Sequence, residues 1–295
     1  MESSITVHGR VLRYLEAGRP SGAPALVLLH GLGSDRRTWR GVLPALSRHT
    51  HVVALDLLGF GASSKPRDGD YSVPAQAALV RDVVVALGLG RVSVVGHSFG
   101  GGVAMSFAYQ FPERTAGLGL ICSGGLGREL TPALRLAAAP SAAFLAHTVH
   151  SRTPGWLHRL GRHVVARAGW ATAAEVDGAL RALDSLGDPA ARDAFRRTLR
   201  DTVQWSGQRL TATDRLHLLA ATPTLLIAGR RDSCIPHEHT VAAHHRLPAS
   251  ELAVLDAGHF PHLEHPREVA RLISRFVRTG AGAGDDAGRP DLTAS

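Results

Sequence analysis

A serine hydroxyl is a poor nucleophile at neutral pH unless a neighbouring base takes its proton. Residues 96–100 read Gly96-His97-Ser98-Phe99-Gly100, a G-x-S-x-G pentapeptide directly after the apolar run Val92-Ser93-Val94-Val95. In that context the pattern presents a serine on a sharp turn between a strand and a helix, with the glycines letting the chain turn there. Ser98 is the candidate nucleophile.

The base must be a histidine that the fold can bring to that turn, and the chain holds 17 of them. His259 stands apart because it follows the last strand-like run and is preceded by Gly258. His237, His239, His244, His245, His262 and His265 read as surface or packing residues. The base needs an orienting carboxylate after another late strand. Asp232, in Ala228-Gly229-Arg230-Arg231-Asp232, meets that condition, whereas the run ending at Cys122 leads into Ser123-Gly124-Gly125 with no acid. Asp256 is the rival, only three residues from His259. An acyl-transfer site also needs N–H donors for the developing oxyanion. Phe99, at the start of a helix, offers one backbone N–H, and the loop His30-Gly31-Leu32-Gly33 offers a second, assigned to Leu32. His30 itself reads as structural, bonding that loop to itself.

These residues must be carried by an alternating framework. Strand candidates between Ile5 and Ala17, with a turn at Gly9, precede strands over 25–30, 51–56, 92–97 and 118–122. Helices are expected over 38–47, 74–87 and 100–111, giving a parallel sheet covered on both faces. From about Gly124 the rhythm stops, and the stretch to Ala221 is rich in Ala, Leu and Arg and punctuated by Pro132, Pro140, Pro154 and Pro189. Strands return at 224–228 and 252–255, with helices near 240–246 and 267–278. The division expected is a core of 1–124 and 221–279, a helical insertion over 125–220, and a tail over 280–295 too poor in apolar side chains to pack.

Composition narrows the partners. The formal charge is +8, but Lys65 is the only lysine and the arginines are scattered, so a nucleic-acid footprint is not expected. Cys122 and Cys234 make neither a disulfide framework nor metal-ligand spacing. Gly59-Phe60-Gly61 lacks the P-loop lysine and the dinucleotide glycine pattern. The expectation is a protein with no cofactor and no metal. Neither signal-peptide regions nor a run of membrane-spanning length is evident, so a cytoplasmic location is expected. Homo-oligomer formation stays open.

Five ordered motifs resemble the α/β-hydrolase superfamily over about residues 5–279: His30-Gly31 after a strand, Asp56-x-x-Gly59-x-Gly61-x-Ser63, the pentapeptide at Ser98, Gly229-x-x-Asp232 and Gly258-His259-x-Pro261. The resemblance implies the α/β-hydrolase fold, a mostly parallel central sheet flanked by helices, with a helical cap inserted after the sixth strand. It further implies a triad of Ser98, Asp232 and His259 and an oxyanion hole of Leu32 and Phe99. The chain looks most like small cofactor-free bacterial esterases, lipases and meta-cleavage-product hydrolases. Serine in the pentapeptide disfavours haloalkane dehalogenases and epoxide hydrolases, and Leu32 departs from the Gly-Gly run of HGGG esterases. The activity implied is cleavage of a small-molecule carboxylic ester through an acyl-enzyme. Alternatives on the same residues are C–C bond hydrolysis of meta-cleavage type, natural-product tailoring by thioester release or cyclisation, and a receptor that retains the triad. Apolar cap residues Leu130, Leu134, Leu136, Phe144, Leu145, Trp156 and Leu157 would line the pocket, and Arg128, Arg196, Arg197 and Arg200 are candidates for a substrate carboxylate.

Overall fold

The computed structural model describes residues 1–20, 22–130, 148, 151–154, 164, 167, 171–204, 207–209 and 211–282. Its centre is an eight-stranded sheet in the order β1-β2-β4-β3-β5-β6-β9-β10. These strands are β1 (Glu2–Val7), β2 (Arg10–Ala17), β3 (Ala25–Leu29), β4 (Val52–Leu55), β5 (Val92–His97), β6 (Thr115–Ile121), β9 (Thr224–Gly229) and β10 (Ser250–Leu255). A tight turn through His8 and Gly9, both at positive φ, joins β1 to β2 as the primed hairpin turns require. β1–β2 and β2–β4 pair antiparallel, and all other neighbours pair parallel. Every residue of β4, β5, β6 and β9 is buried, which is why these strands read as unbroken apolar runs.

Helices cover both faces. On one lie α2 (Val73–Ala86) and α3 (Phe99–Gln110), whose Val80, Val83, Val103 and Phe107 join a core with Val27, Val94 and Leu118. On the other lie α1 (Leu43–Leu46) and the helix Pro266–Gly282, packing Leu46, Val269, Ile273 and Phe276 against Leu28, Val95 and Ile227. At about 25 cal/mol per Å² of apolar surface, each fully buried side chain of this kind contributes about 1.5–3 kcal/mol. The helix expected over 38–47 is instead a 3₁₀ turn, Arg36–Trp39, followed by the single turn α1. Gly41 lies between the two, tucked where a Cβ would lie 3.3 Å from Pro266, and Pro44 sits in the first turn of α1.

Between β6 and β9 the described elements are α4 (Ala173–Ser185), α5 (Pro189–Thr202), a short antiparallel ladder of β7 (Val203–Gln204) and β8 (Gly207–Gln208), and a 3₁₀ turn Thr213–Leu219. After β9 come α6 (Glu238–Arg246), α7 (Pro261–Glu264) and α8, the helix Pro266–Gly282. The small ladder was not expected from composition. Leu130 is buried, whereas Leu134, Leu136, Phe144, Leu145, Trp156 and Leu157 lie outside the described residues. α8 carries the chain to Gly282, and the rest of the anticipated tail also lies outside them. Because β3, β5, β6, β9 and β10 run parallel, Leu29, His97, Ile121, Gly229 and Leu255 end on one edge of the sheet. Among the described residues no helix is long and apolar enough to cross a membrane.

Candidate active site

Ser98 sits on the turn from β5 into α3 with φ 53° and ψ −116°, a region that L residues occupy at a cost. Its backbone is held there by hydrogen bonds: its N–H donates to Ile121 O at 3.0 Å, and its carbonyl accepts from Gly101 and Gly124 N–H, each at 3.0 Å. The flanking glycines are steric necessities. A Cβ on Gly96 would lie 2.0 Å from Gly100 O, and one on Gly100 would lie 2.4 Å from Leu29 O. The strain is therefore paid back locally by a tightly bonded turn that aims the hydroxyl off the strand end.

The loops after β9 and β10 bring Asp232 and His259 to that hydroxyl. Ser98 Oγ lies 3.0 Å from His259 Nε2, and His259 Nδ1 lies 2.8 Å from Asp232 Oδ2. The other carboxylate oxygen, Asp232 Oδ1, accepts from Cys234 and Ile235 N–H at 2.8 and 2.9 Å. Gly229 allows the two loops to meet, since a Cβ there would lie 2.1 Å from Gly258 O. The rival Asp256 has a side chain 77% exposed and pairs with Arg231, whereas the Asp232 side chain is 2% exposed. The carboxylate beside the ring is thus Asp232, and its rival Asp256 faces away from it.

Burial pushes the His259 imidazole toward the neutral form, but the Asp232 charge and hydrogen bond, with Glu175 and Glu264, outweigh it and raise its pKa. Burial conversely pushes Asp232 up, and the His259 charge and hydrogen bond and the Ile235 and Cys234 N–H groups bring it below its ordinary value. A chain of this kind can pass the hydroxyl proton to the ring as the oxygen attacks, with the carboxylate stabilising the imidazolium. Cys122, Asp232 and His259 offer atoms within 4.8 Å of one another. Burial, then Asp232, pushes the Cys122 thiol well above its ordinary value, and the Asp232–His259 hydrogen bond occupies the other two, which suits a proton relay better than a metal. Cys234 is pushed up to about 12 by burial and Asp232, so it stays a thiol beside the relay.

Phe99 is the first residue of α3, so its N–H has no intrahelical acceptor and points with the helix dipole. The His30-Gly31-Leu32 loop passes against the serine: a Cβ on Gly31 would lie 3.2 Å from Ser98 Cβ. Leu32 and Phe99 both line the cavity onto which Ser98 and His259 open. His30 braces its own loop, with Nδ1 donating to Gly31 O at 2.8 Å and Nε2 accepting from Leu57 N–H at 3.0 Å. Asp56 is likewise structural. Fully buried, it accepts from Arg36 N–H at 2.6 Å and Ala62 N–H at 2.8 Å and pairs with the Arg36 guanidinium.

The cavity measures about 770 Å³ and is walled by apolar side chains such as Met105, Leu130, Val176, Leu186 and Phe195. None of Arg128, Arg196, Arg197 or Arg200 lines it. Arg197 instead donates to Arg67 O and Gly69 O at 2.7 Å and stacks on Tyr71, and Arg196 pairs with Asp193. Among the described residues the arginine on the wall is Arg215, over the Tyr109 ring at 5.7 Å.

Two residues that touch His259 carry no signal of that contact in the sequence. His97, the second residue of the pentapeptide, donates from Nε2 to His259 O at 2.7 Å, and burial, then His262 and His259, keep its ring neutral. Glu175, at the start of α4, accepts from His259 N–H at 2.9 Å. The pattern Thr172-x-x-Glu175 is readable as a helix-capping box, but not as a contact to a loop 84 residues away.

A mostly parallel α/β sheet with a serine, a histidine and a carboxylate in hydrogen-bond contact at its strand ends defines a class of protein that sequence comparison makes specific. The chain belongs to the alpha/beta hydrolase fold family, whose profile matches residues 24–266. A protein of Mycobacterium tuberculosis described only as uncharacterised is 39% identical over 278 residues, covering 93% of this chain and 80% of that one. A 2-hydroxy-6-oxo-2,4-heptadienoate hydrolase of Pseudomonas putida is 30% identical over 267 residues, covering 88% and 90%. Among solved structures, a bacterial membrane phospholipase A described as a virulence factor superposes with a TM-score of 0.72 at 26% identity, covering 95% of this chain and 86% of that one. Hydrolases are thus what this chain is similar to.

Proposed function

We propose that the protein is a serine hydrolase that cleaves a small apolar carboxylic ester through an acyl-enzyme. The observation that carries this is the continuous relay Ser98 Oγ–His259 Nε2, His259 Nδ1–Asp232 Oδ2 at 3.0 and 2.8 Å. Ser98 attacks the carbonyl as His259 takes its proton. The Leu32 and Phe99 N–H groups receive the oxyanion, a contribution of about 10²–10³ in rate for each donor. His259 then protonates the departing alcohol and afterwards activates water to release the acid. The segment 125–220 acts as the cap: Val176 of α4, Phe195 of α5 and Leu186 between them line a cavity within the range of ligand pockets, about 300–1,000 Å³. No cofactor is required for this chemistry.

A second reading, C–C bond hydrolysis of an acidic substrate, is favoured by Arg215 on the cavity wall and by similarity to the Pseudomonas putida hydrolase. Arg215 is exposed and stacked on Tyr109, and the rest of the wall named above is apolar, which supports the neutral ester. Turnover of neutral p-nitrophenyl esters, compared with 2-hydroxy-6-oxo dienoates, by wild type and Ser98→Ala tests the choice. Ester turnover lost in the variant supports the first reading; turnover of the dienoate alone supports the second.

A further inference from the structure

The carboxylate of Glu175 is buried at the point where the inserted segment meets the two loops that carry Asp232 and His259. Its Oε1 accepts from His259 N–H at 2.9 Å, Ser233 N–H at 3.1 Å and Ser233 Oγ at 2.8 Å. Its Oε2 accepts from Thr172 N–H at 2.6 Å, and the Thr172 hydroxyl caps Glu175 N–H in return. One oxygen therefore ties the residue next to Asp232 to the backbone of His259, while the other is locked into the first turn of α4. Gly258 is the residue that lets the carboxylate in, since a Cβ there would lie 2.7 Å from Glu175 Cδ. His97 grips the carbonyl of His259 from the sheet side, so the histidine's backbone is held at both its N–H and its C=O.

We propose that Glu175 is a positioning residue through which the inserted segment aligns His259, so that seating α4 on the core and completing the Ser98–His259–Asp232 relay are one event. This rests on the hydrolase reading above. An α4 that lifts from the core takes with it the acceptor of His259 N–H and the bridge to Ser233. Electrostatics add to the geometry. The groups facing the His259 ring are Asp232 from the loop after β9, Glu175 from α4, Glu264 and His262 from α7, His97 from the end of β5 and Cys122 after β6. Among them Asp232, Glu175 and Glu264 favour the protonated ring.

Glu175→Gln keeps the volume and removes the charge, and Glu175→Ala removes the bridge. The ring is followed by its low-field Nδ1 proton resonance, assigned by its loss in His259→Gln, across pH in wild type and both variants. Steady-state hydrolysis of p-nitrophenyl butyrate is measured alongside. The expected result is a His259 midpoint at lower pH in both variants and a kcat about 10- to 100-fold lower. KM stays within about twofold. An unmoved midpoint with unchanged kcat in folded variants, even at reduced Tm, overturns the proposal by making Glu175 a structural cap alone. If wild type hydrolyses no ester but the midpoint still moves, the ester reading fails and the alignment of His259 by Glu175 stands.

Discussion

Replacing Asp232 by Asn isolates what the carboxylate does, because the surrounding backbone dictates how the amide must sit. Asp232 Oδ1 accepts from two N–H groups, of Cys234 and Ile235. An amide placing its NH₂ there would face two donors, so its oxygen takes that position and its NH₂ turns toward His259 Nδ1. The ring must then accept at Nδ1, which moves its proton to Nε2, opposite the Ser98 hydroxyl at 3.0 Å. Nε2 can then no longer accept the hydroxyl proton, and the base is in the wrong tautomer. The same exchange in a serine-protease triad lowers kcat about 10⁴-fold, or about 5.5 kcal/mol at 1.36 kcal/mol per decade. The loop keeps its two backbone bonds, so Tm should change little. Stopped assays of p-nitrophenyl butyrate hydrolysis on purified wild type and Asp232→Asn, with thermal melts of both, read the two effects separately. A variant with kcat within tenfold of wild type refutes the reasoning, because the carboxylate would then not be setting the tautomer.

Other outcomes follow from single contacts. The raised His259 pKa means the free enzyme loses its neutral base as pH falls through a value above the ordinary 6.5, so the acid limb of kcat/KM should lie above 6.5 in wild type. A limb below that value contradicts the placement of Asp232 beside the ring. His262 is fully buried, and burial, then His259 and Arg181, lower its pKa to about 3. The unfolded chain takes up that proton below 6.5 and the folded chain only near 3, so stability is full above 6.5 and declines below it. By pH 5 the His262 share of the loss is about 2 kcal/mol at 1.36 kcal/mol per unit; His97 and His30, also lowered by burial, add to the total, so urea unfolding at pH 7 and pH 5 should show a loss about 2 kcal/mol smaller in His262→Gln than in wild type. Gly96→Ala drives a Cβ to 2.0 Å from Gly100 O and should destabilise by about 3 kcal/mol or more, whereas Gly90→Ala, with nothing within 4 Å, should be near neutral by the same unfolding measurement. Val176→Phe narrows the cavity and should lower kcat/KM for long acyl esters about tenfold relative to short ones in a chain-length series.

The parallel sheet was legible because strands buried on both faces leave an unambiguous trace: Val92–Val95 and Leu225–Ala228 have no polar side to confuse the period, apart from Ser93. Ser98 was legible because the glycines around it are demanded by backbone atoms 2.0 and 2.4 Å from where a Cβ would stand. The 38–47 stretch misled because its apolar residues suit a helix, whereas Asp35 caps a 3₁₀ turn over Arg36–Trp39 and Gly41, tight against Pro266 at the start of α8, separates that turn from α1. Arg215 and Glu175 could not be placed from sequence. Their placement comes from what the segment between β6 and β9 lies against, and local pattern shows only that Glu175 completes a capping box. The four arginines that looked like anion binders are consumed elsewhere or sit off the cavity for the same reason: spacing on a helix gives a face, not its partner.

The most direct test of the account is reaction with a fluorophosphonate, read by intact mass and peptide mapping. A single adduct on Ser98 is expected in wild type and none in Ser98→Ala, with ester turnover disappearing in step with labelling. Adduct formation at another residue, or undiminished turnover in Ser98→Ala, would contradict it.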